Sequence, residues 1–216
     1  MPIGSPDAPV PPSGQEEADI AGIVLAGGES RRMGREKATL RLPGTSETLL
    51  ERAGRHLTDA GATRIVVATG TAGRLGPLPW DEVGDGDHAG QGPLAGLAAA
   101  LTALEHDLPH DSVALVLAVD LPFASPPLLR WLAHELDVTG VAGLIPLDAV
   151  ELRPQPLHAA YRPAAVAPSL RATLGTPERR LLRALAAAGA VQLDVPGHGS
   201  DWHRNANSPL DVRGLE

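Results

Sequence analysis

An α/β fold of three layers, with helices on both faces of a mostly parallel central sheet, is the class this sequence predicts, and three observations predict it. Short apolar runs alternate with helical periodicities along most of the 216 residues. One run, Val113 to Val119, is apolar without interruption, as suits a central parallel strand covered on both faces. The core material is small: 34 Ala, 32 Leu and 15 Val stand against 5 Ile and 5 aromatic residues, so closely packed backbone layers must fill the interior.

Taken in order, Ile20 to Ala26 reads as a buried strand running into the turn Gly27-Gly28. Leu49, Leu50, Ala53 and Leu57 recur at helical spacing within Thr48 to Ala60, with Gly61 as the C-cap. Arg64 to Thr69 is a second strand, and Trp80 to Val83 a short third one leading into the glycine-rich Gly84–Gly92. Pro93, well suited to a first helical turn, opens a helix carrying Leu94, Leu97, Leu101 and Leu104. After the central strand come a helix at Pro127–Leu136 and strands at Val141–Leu147 and Pro156–Tyr161. Helices near Ala164–Thr173 and Glu178–Ala188 then precede a last strand at Val191–Val195. Neither a repeat nor a linker interrupts this series, so residues 20–216 are expected to form one domain behind a Pro-rich, disordered tail at 1–19.

Composition excludes several functions. Without cysteine there is no disulfide scaffold, thiolate metal site or cysteine nucleophile. A net charge of −8 has the wrong sign for a general nucleic-acid or membrane-surface binder. No apolar run is long enough to span a bilayer, and the N-terminus lacks the basic and apolar regions of a signal peptide, so a cytoplasmic protein is expected. One anomaly remains: of 18 basic residues, 17 are Arg, and the exception is Lys37.

Lys37 closes the segment Leu25-Ala26-Gly27-Gly28-Glu29-Ser30-Arg31-Arg32-Met33-Gly34-Arg35-Glu36-Lys37. It leaves the C-terminal end of the first strand, the edge where open α/β sheets bind ligands. Its glycines allow backbone N–H groups to approach an anion, and Arg31, Arg32, Arg35 and Lys37 supply positive charge. Polyphosphate binding and a solvated, charged surface loop are both open on this ground. The Walker A spacing is absent. Gly84-Asp85-Gly86-Asp87-His88-Ala89 formally fits a dinucleotide fingerprint but follows the wrong strand and opens no helix directly. It offers instead Asp85 and Asp87 on a mobile loop, ahead of Gly92-Pro93 at a helix N-terminus, where backbone donors are accessible. Asp120 ends the central strand, either as a carboxylate for Mg²⁺ in the ligand crevice or as a turn residue before Pro122. His158 reads as a satisfied core or rim histidine, and His106 and His110 as solvated loop. Asn205 and Asn207 read at their plainest as a polar cap for a last helix at Leu210. No Gly-x-Ser-x-Gly elbow is present to suggest a serine hydrolase.

Five segments in order carry a family resemblance: residues 25–37 already quoted, Gly-Pro-Leu-Ala-Gly at 92–96, Asp-Leu-Pro at 120–122, Pro-Leu-His-Ala-Ala-Tyr at 156–161 and Asn-x-Asn-Ser-Pro at 205–209. Across about residues 20–213 the chain resembles the molybdenum cofactor guanylyltransferases, the MobA type of nucleotidyltransferase. The resemblance implies a Rossmann-like nucleotidyltransferase domain that binds GTP and molybdopterin as substrates and Mg²⁺ as cofactor. Molybdenum-insertion proteins and molybdoenzyme chaperones are the further partners it implies. It assigns Leu25, Ala26, Gly27, Gly28 and Lys37 to phosphate binding, and Asp85, Gly92 and Pro93 to the nucleotide. Asp120 becomes the magnesium ligand, Lys37 and Arg32 the catalytic cations, and Asn205 and Asn207 the pterin side. Two departures stand out, Glu36 for the family's usual Asp and Ser208 for its usual Thr, and neither removes a charge or a ligand. A cytidylyltransferase for the same pterin, a sugar-phosphate nucleotidyltransferase and a non-catalytic nucleotide- or pterin-binding module are the rival readings. Gly27-Gly28 and Gly92–Gly96 favour guanine among them.

Overall fold

A computed structural model describes residues 19–27, 36–41, 44–148, 150–177, 179–195 and 201–206. The tail before Asp19, the C-terminal end of the expected domain and the helix expected at Leu210 lie outside them.

Seven strands form one sheet: β1 (Ile20–Leu25), β2 (Arg64–Gly70), β3 (Asp81–Gly84), β4 (Val113–Ala118), β5 (Gly143–Pro146), β6 (His158–Tyr161) and β7 (Ala190–Leu193). Their order across the sheet is β3-β2-β1-β4-β6-β5-β7. All neighbours are parallel except β6, which runs antiparallel to both β4 and β5. The helices are α1 (Leu49–Asp59), α2 (Pro93–Asp107), α3 (Pro126–Thr139), α4 (Pro163–Leu174) and α5 (Leu181–Ala187).

The period-two rule separates two cores. On β4, Val113, Leu115 and Leu117 face one layer with Leu49, Leu50 and Leu57 of α1 and Leu128, Leu132 and Leu136 of α3. Ala114 and Val116 face the other, with Leu94, Leu97, Leu101 and Leu104 of α2 and Val166 and Leu170 of α4. This is the three-layer arrangement that the alternating pattern predicts. Alanine does much of the filling, in Ala21, Ala68, Ala95, Ala98 and Ala159, all nearly inaccessible, which lets helices lie close to the sheet.

Local signals fix the element ends. Thr48 and Glu51 form a reciprocal capping box on α1, and Ala60 closes that helix one residue before the expected Gly61, which follows with a positive φ. The Ser125 hydroxyl accepts from the Leu128 N–H and starts α3 at Pro126, one residue earlier than the periodicity suggests. β6 begins only at His158, because Pro156 has no N–H to give a ladder. The expected helix at 178–188 shortens to α5, and His106 proves to be in the last turn of α2, exposed, with His110 exposed beyond it. No helix among the described residues is long and apolar enough to cross a membrane.

Two buried histidines tie this core to pH. Burial lowers His56 to about 4, assisted by the like charges of Arg55 and Arg52. Burial lowers His158 to about 3, with the nearby Trp202 backbone opposing it only in part. Above pH ~6.5 both histidines are neutral folded or unfolded, whereas below it the unfolded chain takes up the protons first. Stability should therefore fall as pH drops from 6.5, with a slope approaching ~1.4 kcal/mol per pH unit for each histidine. Carboxylates held low by hydrogen bonds, such as Glu51 and Asp148, lose their contribution at lower pH than the histidines do. Urea denaturation from pH ~6.5 to ~5 should show the loss, and His158→Phe should reduce the slope to that left by His56.

Candidate functional site

The strand order reverses direction at β1. From β1 the chain passes through α1, on one face, to β2; from β3 it passes through α2, on the other face, to β4. The C-terminal ends of β1 and β4 therefore flank a crevice with no crossover above it, the usual ligand position in such sheets. A cavity of about 700 Å³ opens there. Its lining contains Leu25, Ala26 and Gly27 from β1 onward, Lys37, Asp85, Gly92 and Pro93 at the start of α2, and Asp120 beyond β4. Eight residues singled out in the sequence thus meet in one place.

Short range chemistry explains how each is held. Ala26 continues the ladder by donating its N–H to Ala68 O at 2.8 Å. A Cβ on Gly27 would stand 3.2 Å from the Gly70 nitrogen, so the backbones leaving β1 and β2 approach closely only because Gly27 has none. Lys37 begins a 3-10 turn, Lys37–Thr39, and its Nζ reaches Asp120 Oδ2 at 3.4 Å, with the two side chains 22% and 29% exposed. Half-buried and facing the cavity, the pair is a modest interaction in partial solvent and leaves both groups able to meet a ligand. The Asp120 main chain is also fixed, since its carbonyl accepts from Ala206 N at 2.8 Å.

Asp85 is better ordered than a mobile loop residue. Its N–H donates to Gly70 O at 2.8 Å, and it caps a 3-10 turn at Gly86–His88. Oδ1 is buried and has no hydrogen-bond partner among the described residues. Burial raises the Asp85 carboxyl above its ordinary range, against the pull of the Arg74 and His88 charges. A carboxylate in that condition is an acceptor awaiting a donor.

The other predicted residues divide. Gly28, Arg32 and Asn207 lie outside the described residues. Asn205 is exposed and does not line the cavity, yet its neighbour Ala206 bonds to Asp120 and so sets the segment beside the site. Trp202 anchors that segment: it is 2% exposed and meets His158 edge-on at 4.8 Å. His158 is fully buried, the core placement of the core-or-rim expectation, and the Trp202 backbone beside it partly offsets the effect of burial. Among the described residues no cluster of three or more His, Asp or Glu could hold a metal, which leaves Asp120 as a single candidate ligand.

Arg74 was missed. It lines the cavity, donates Nη2–H to Ala26 O at 3.1 Å and pairs with Glu36 at 2.9 Å. The sequence puts it at the right sheet edge, because Gly70-Thr71-Ala72-Gly73-Arg74 leaves the C-terminal end of β2 beside the first loop, but does not show its partners.

A mostly parallel α/β sheet with a roomy cavity at its switch point, carrying glycine, cations and lone carboxylates, defines a nucleotide-handling class. The chain belongs to the MobA-like NTP transferase domain family, whose profile matches residues 22–190. It is 35% identical over 201 residues, 93% of this chain and 96% of the other, to a probable molybdenum cofactor guanylyltransferase of Mycobacterium avium. With a protein of the same description from Opitutus terrae the identity is 48% over 103 residues, about half of either chain. The crystal structure of molybdopterin-guanine dinucleotide biosynthesis protein A from Archaeoglobus fulgidus superposes with a TM-score of 0.72 at 26% identity, covering 91% of this chain and 96% of that one.

Gly92 sits at φ 75° and ψ −163° as the N-cap of α2, a region essentially closed to residues with a Cβ. Gly92→Ala should destabilise the protein by about 1–3 kcal/mol. In a chain of this size that lowers the melting temperature by roughly 2–4 °C for each kcal/mol, readable by differential scanning calorimetry.

Proposed function

We propose that this protein is a molybdenum cofactor guanylyltransferase, transferring GMP from GTP to the terminal phosphate of molybdopterin with release of pyrophosphate. The observation that carries the reading is the convergence of Lys37, Asp120, Gly27, Asp85 and the α2 N-terminus on one cavity. The descriptions of the Mycobacterium avium and Opitutus terrae relatives support the same activity.

In this reaction a phosphate oxygen of molybdopterin attacks the α-phosphorus of GTP. A new P–O bond forms while the bond to the β-phosphate oxygen breaks, and its electron pair leaves with pyrophosphate. The attacking oxygen is already ionised, so the site requires no general base, and its work is positioning and charge neutralisation. Lys37 and Arg32 would neutralise the phosphate oxygens, and the N–H groups at Gly27 and Gly28 would hold them. The α2 N-terminus at Gly92 and Pro93 adds unpaired backbone donors and the positive end of the helix dipole. Asp85 would accept from the N–H edge of guanine, which suits a carboxylate whose Oδ1 has no donor among the described residues. Asn205 and Asn207 would face the pterin.

Asp120 fits a magnesium ion. It offers one hard carboxylate at the cavity wall, with no cluster of further ligands among the described residues, the arrangement in which substrate phosphates and water complete the shell. When bound there, Mg²⁺ supplies charge stabilisation for the phosphates.

With molybdopterin as acceptor, pyrophosphate release should require GTP and fail with CTP; release with CTP alone would replace this reading by the cytidylyltransferase one. Asp120→Asn should lower turnover by about 100-fold or more while calorimetry still detects GTP binding. Lys37→Arg keeps the charge but exchanges a compact ammonium for a planar fork, so turnover is expected to fall by about ten-fold or more. Wild-type rates in that variant would mean that charge alone suffices.

A further inference from the structure

Arg74 forms the centre of a network that the transfer chemistry leaves unused. Behind it, the Glu82 carboxylate accepts from Gly73 N–H at 2.9 and 3.0 Å and from the Thr69 hydroxyl at 2.6 Å. Gly73 turns there with φ +79°, so the edge strand β3 holds the loop after β2 in a fixed bend that sends Arg74 back over the end of β1. In front, one amino group of Arg74 serves two acceptors, Ala26 O at 3.1 Å and Glu36 Oε1 at 2.9 Å. Ala26 is the residue at which the glycine-rich segment leaves β1, and Glu36 is the residue before Lys37. The Arg74 and Glu36 side chains are 27% and 26% exposed, sheltered enough for the pair to exceed an open surface ion pair.

We propose that Arg74 is a positioning residue of the nucleotide site: by clasping Ala26 and Glu36 together it fixes where Lys37 stands in the cavity relative to Asp120. The proposal rests on the reading of this cavity as a triphosphate site and extends it to a residue on the β2–β3 connection. A planar guanidinium suits the task because it can donate to Ala26 O while its delocalised charge pairs with the Glu36 carboxylate. Lysine carries the same charge on a shorter reach and cannot hold both positions.

The test is calorimetric titration of Mg-GTP and of magnesium tripolyphosphate, the phosphate chain without a base, into the wild type, Arg74→Ala, Arg74→Lys, Glu36→Gln and the Arg74→Ala/Glu36→Gln pair. Arg74→Ala and Glu36→Gln should each weaken both ligands about ten-fold or more, and the double variant should be little worse than Arg74→Ala alone, since both changes open one clasp. Arg74→Lys should not restore affinity. Melting temperatures within a few degrees of wild type would separate this from loss of fold, and should Arg74→Ala not fold, Glu36→Gln and Arg74→Lys test the same clasp. The proposal is overturned by wild-type affinity in Arg74→Ala or Arg74→Lys. It is equally overturned by tighter binding in Glu36→Gln, which would mean that Arg74 meets phosphate directly and Glu36 merely competes for it. A wild type that ignores tripolyphosphate would sink the underlying cavity reading, and one that takes CTP as readily as GTP would sink only the guanine assignment.

Discussion

Parallel pairing on both sides of β1 is the constraint from which the site follows. With β2 hydrogen-bonded along one edge and β4 along the other, the chain leaving Leu25 can go only outward over the C-terminal end of the sheet. The crossovers on either side take opposite faces, α1 on one and α2 on the other, so neither covers that end. What remains is an open crevice whose walls are strand ends, and the backbone there must approach closely enough for Gly27 to pass Gly70. A Cβ at Gly27 would crowd the Gly70 backbone at 3.2 Å and require the two strand ends to shift by a few tenths of an ångström.

The crevice also explains how an acidic chain holds a cavity suited to an anion. Net charge is −8, yet three described carboxylates at this edge are engaged or sheltered: Asp120 with Lys37, Glu36 with Arg74, and Asp85 by burial. Fixed N–H groups and the α2 N-terminus then set the local sign more than the distant surface charge does. The same economy extends to the metal. One carboxylate is enough to hold Mg²⁺ if the substrate brings its own oxygens, whereas a cage of several would bind the ion without the nucleotide.

Much of this was legible in the sequence, for reasons that differ by residue. β1, β4 and α2 announce themselves because burial on two faces, or a Pro-led leucine stripe, leaves an unambiguous pattern. Lys37, Asp85, Gly92 and Asp120 were found because each sits where a strand ends or a helix begins, and chain ends at one sheet edge must meet. Three features stayed hidden. The reversed direction of β6 has no periodic signature, since four buried residues read alike in either sense. His158 looks like any core histidine, and only the tertiary fold places Trp202 edge-on against it. Arg74 is one arginine among 17, and its importance arises from two acceptors at distant points of the chain, Ala26 and Glu36, that sequence alone does not bring together.

The chemistry of the two cations resolves the oddity of a single lysine. Arginine suits positions where geometry is settled in advance, and Arg74 is such a position, since its two partners belong to the protein and stay in place. Arg64, bridging Asp81 and Asp107, and Arg55, bridging Glu47 and Asp59, are used the same way across the surface. Lys37 stands under a different requirement. Its partner in the structure is Asp120, but in turnover the proposed reaction has it shift toward oxygens whose positions change as one phosphorus bond forms and another breaks. A rigid fork fitted to one arrangement would resist that shift, whereas a small ammonium on a four-carbon stem can follow it. In a chain that uses arginine at every other basic position, lysine stands at the cation that pairs with Asp120, where the arrangement of partners must change.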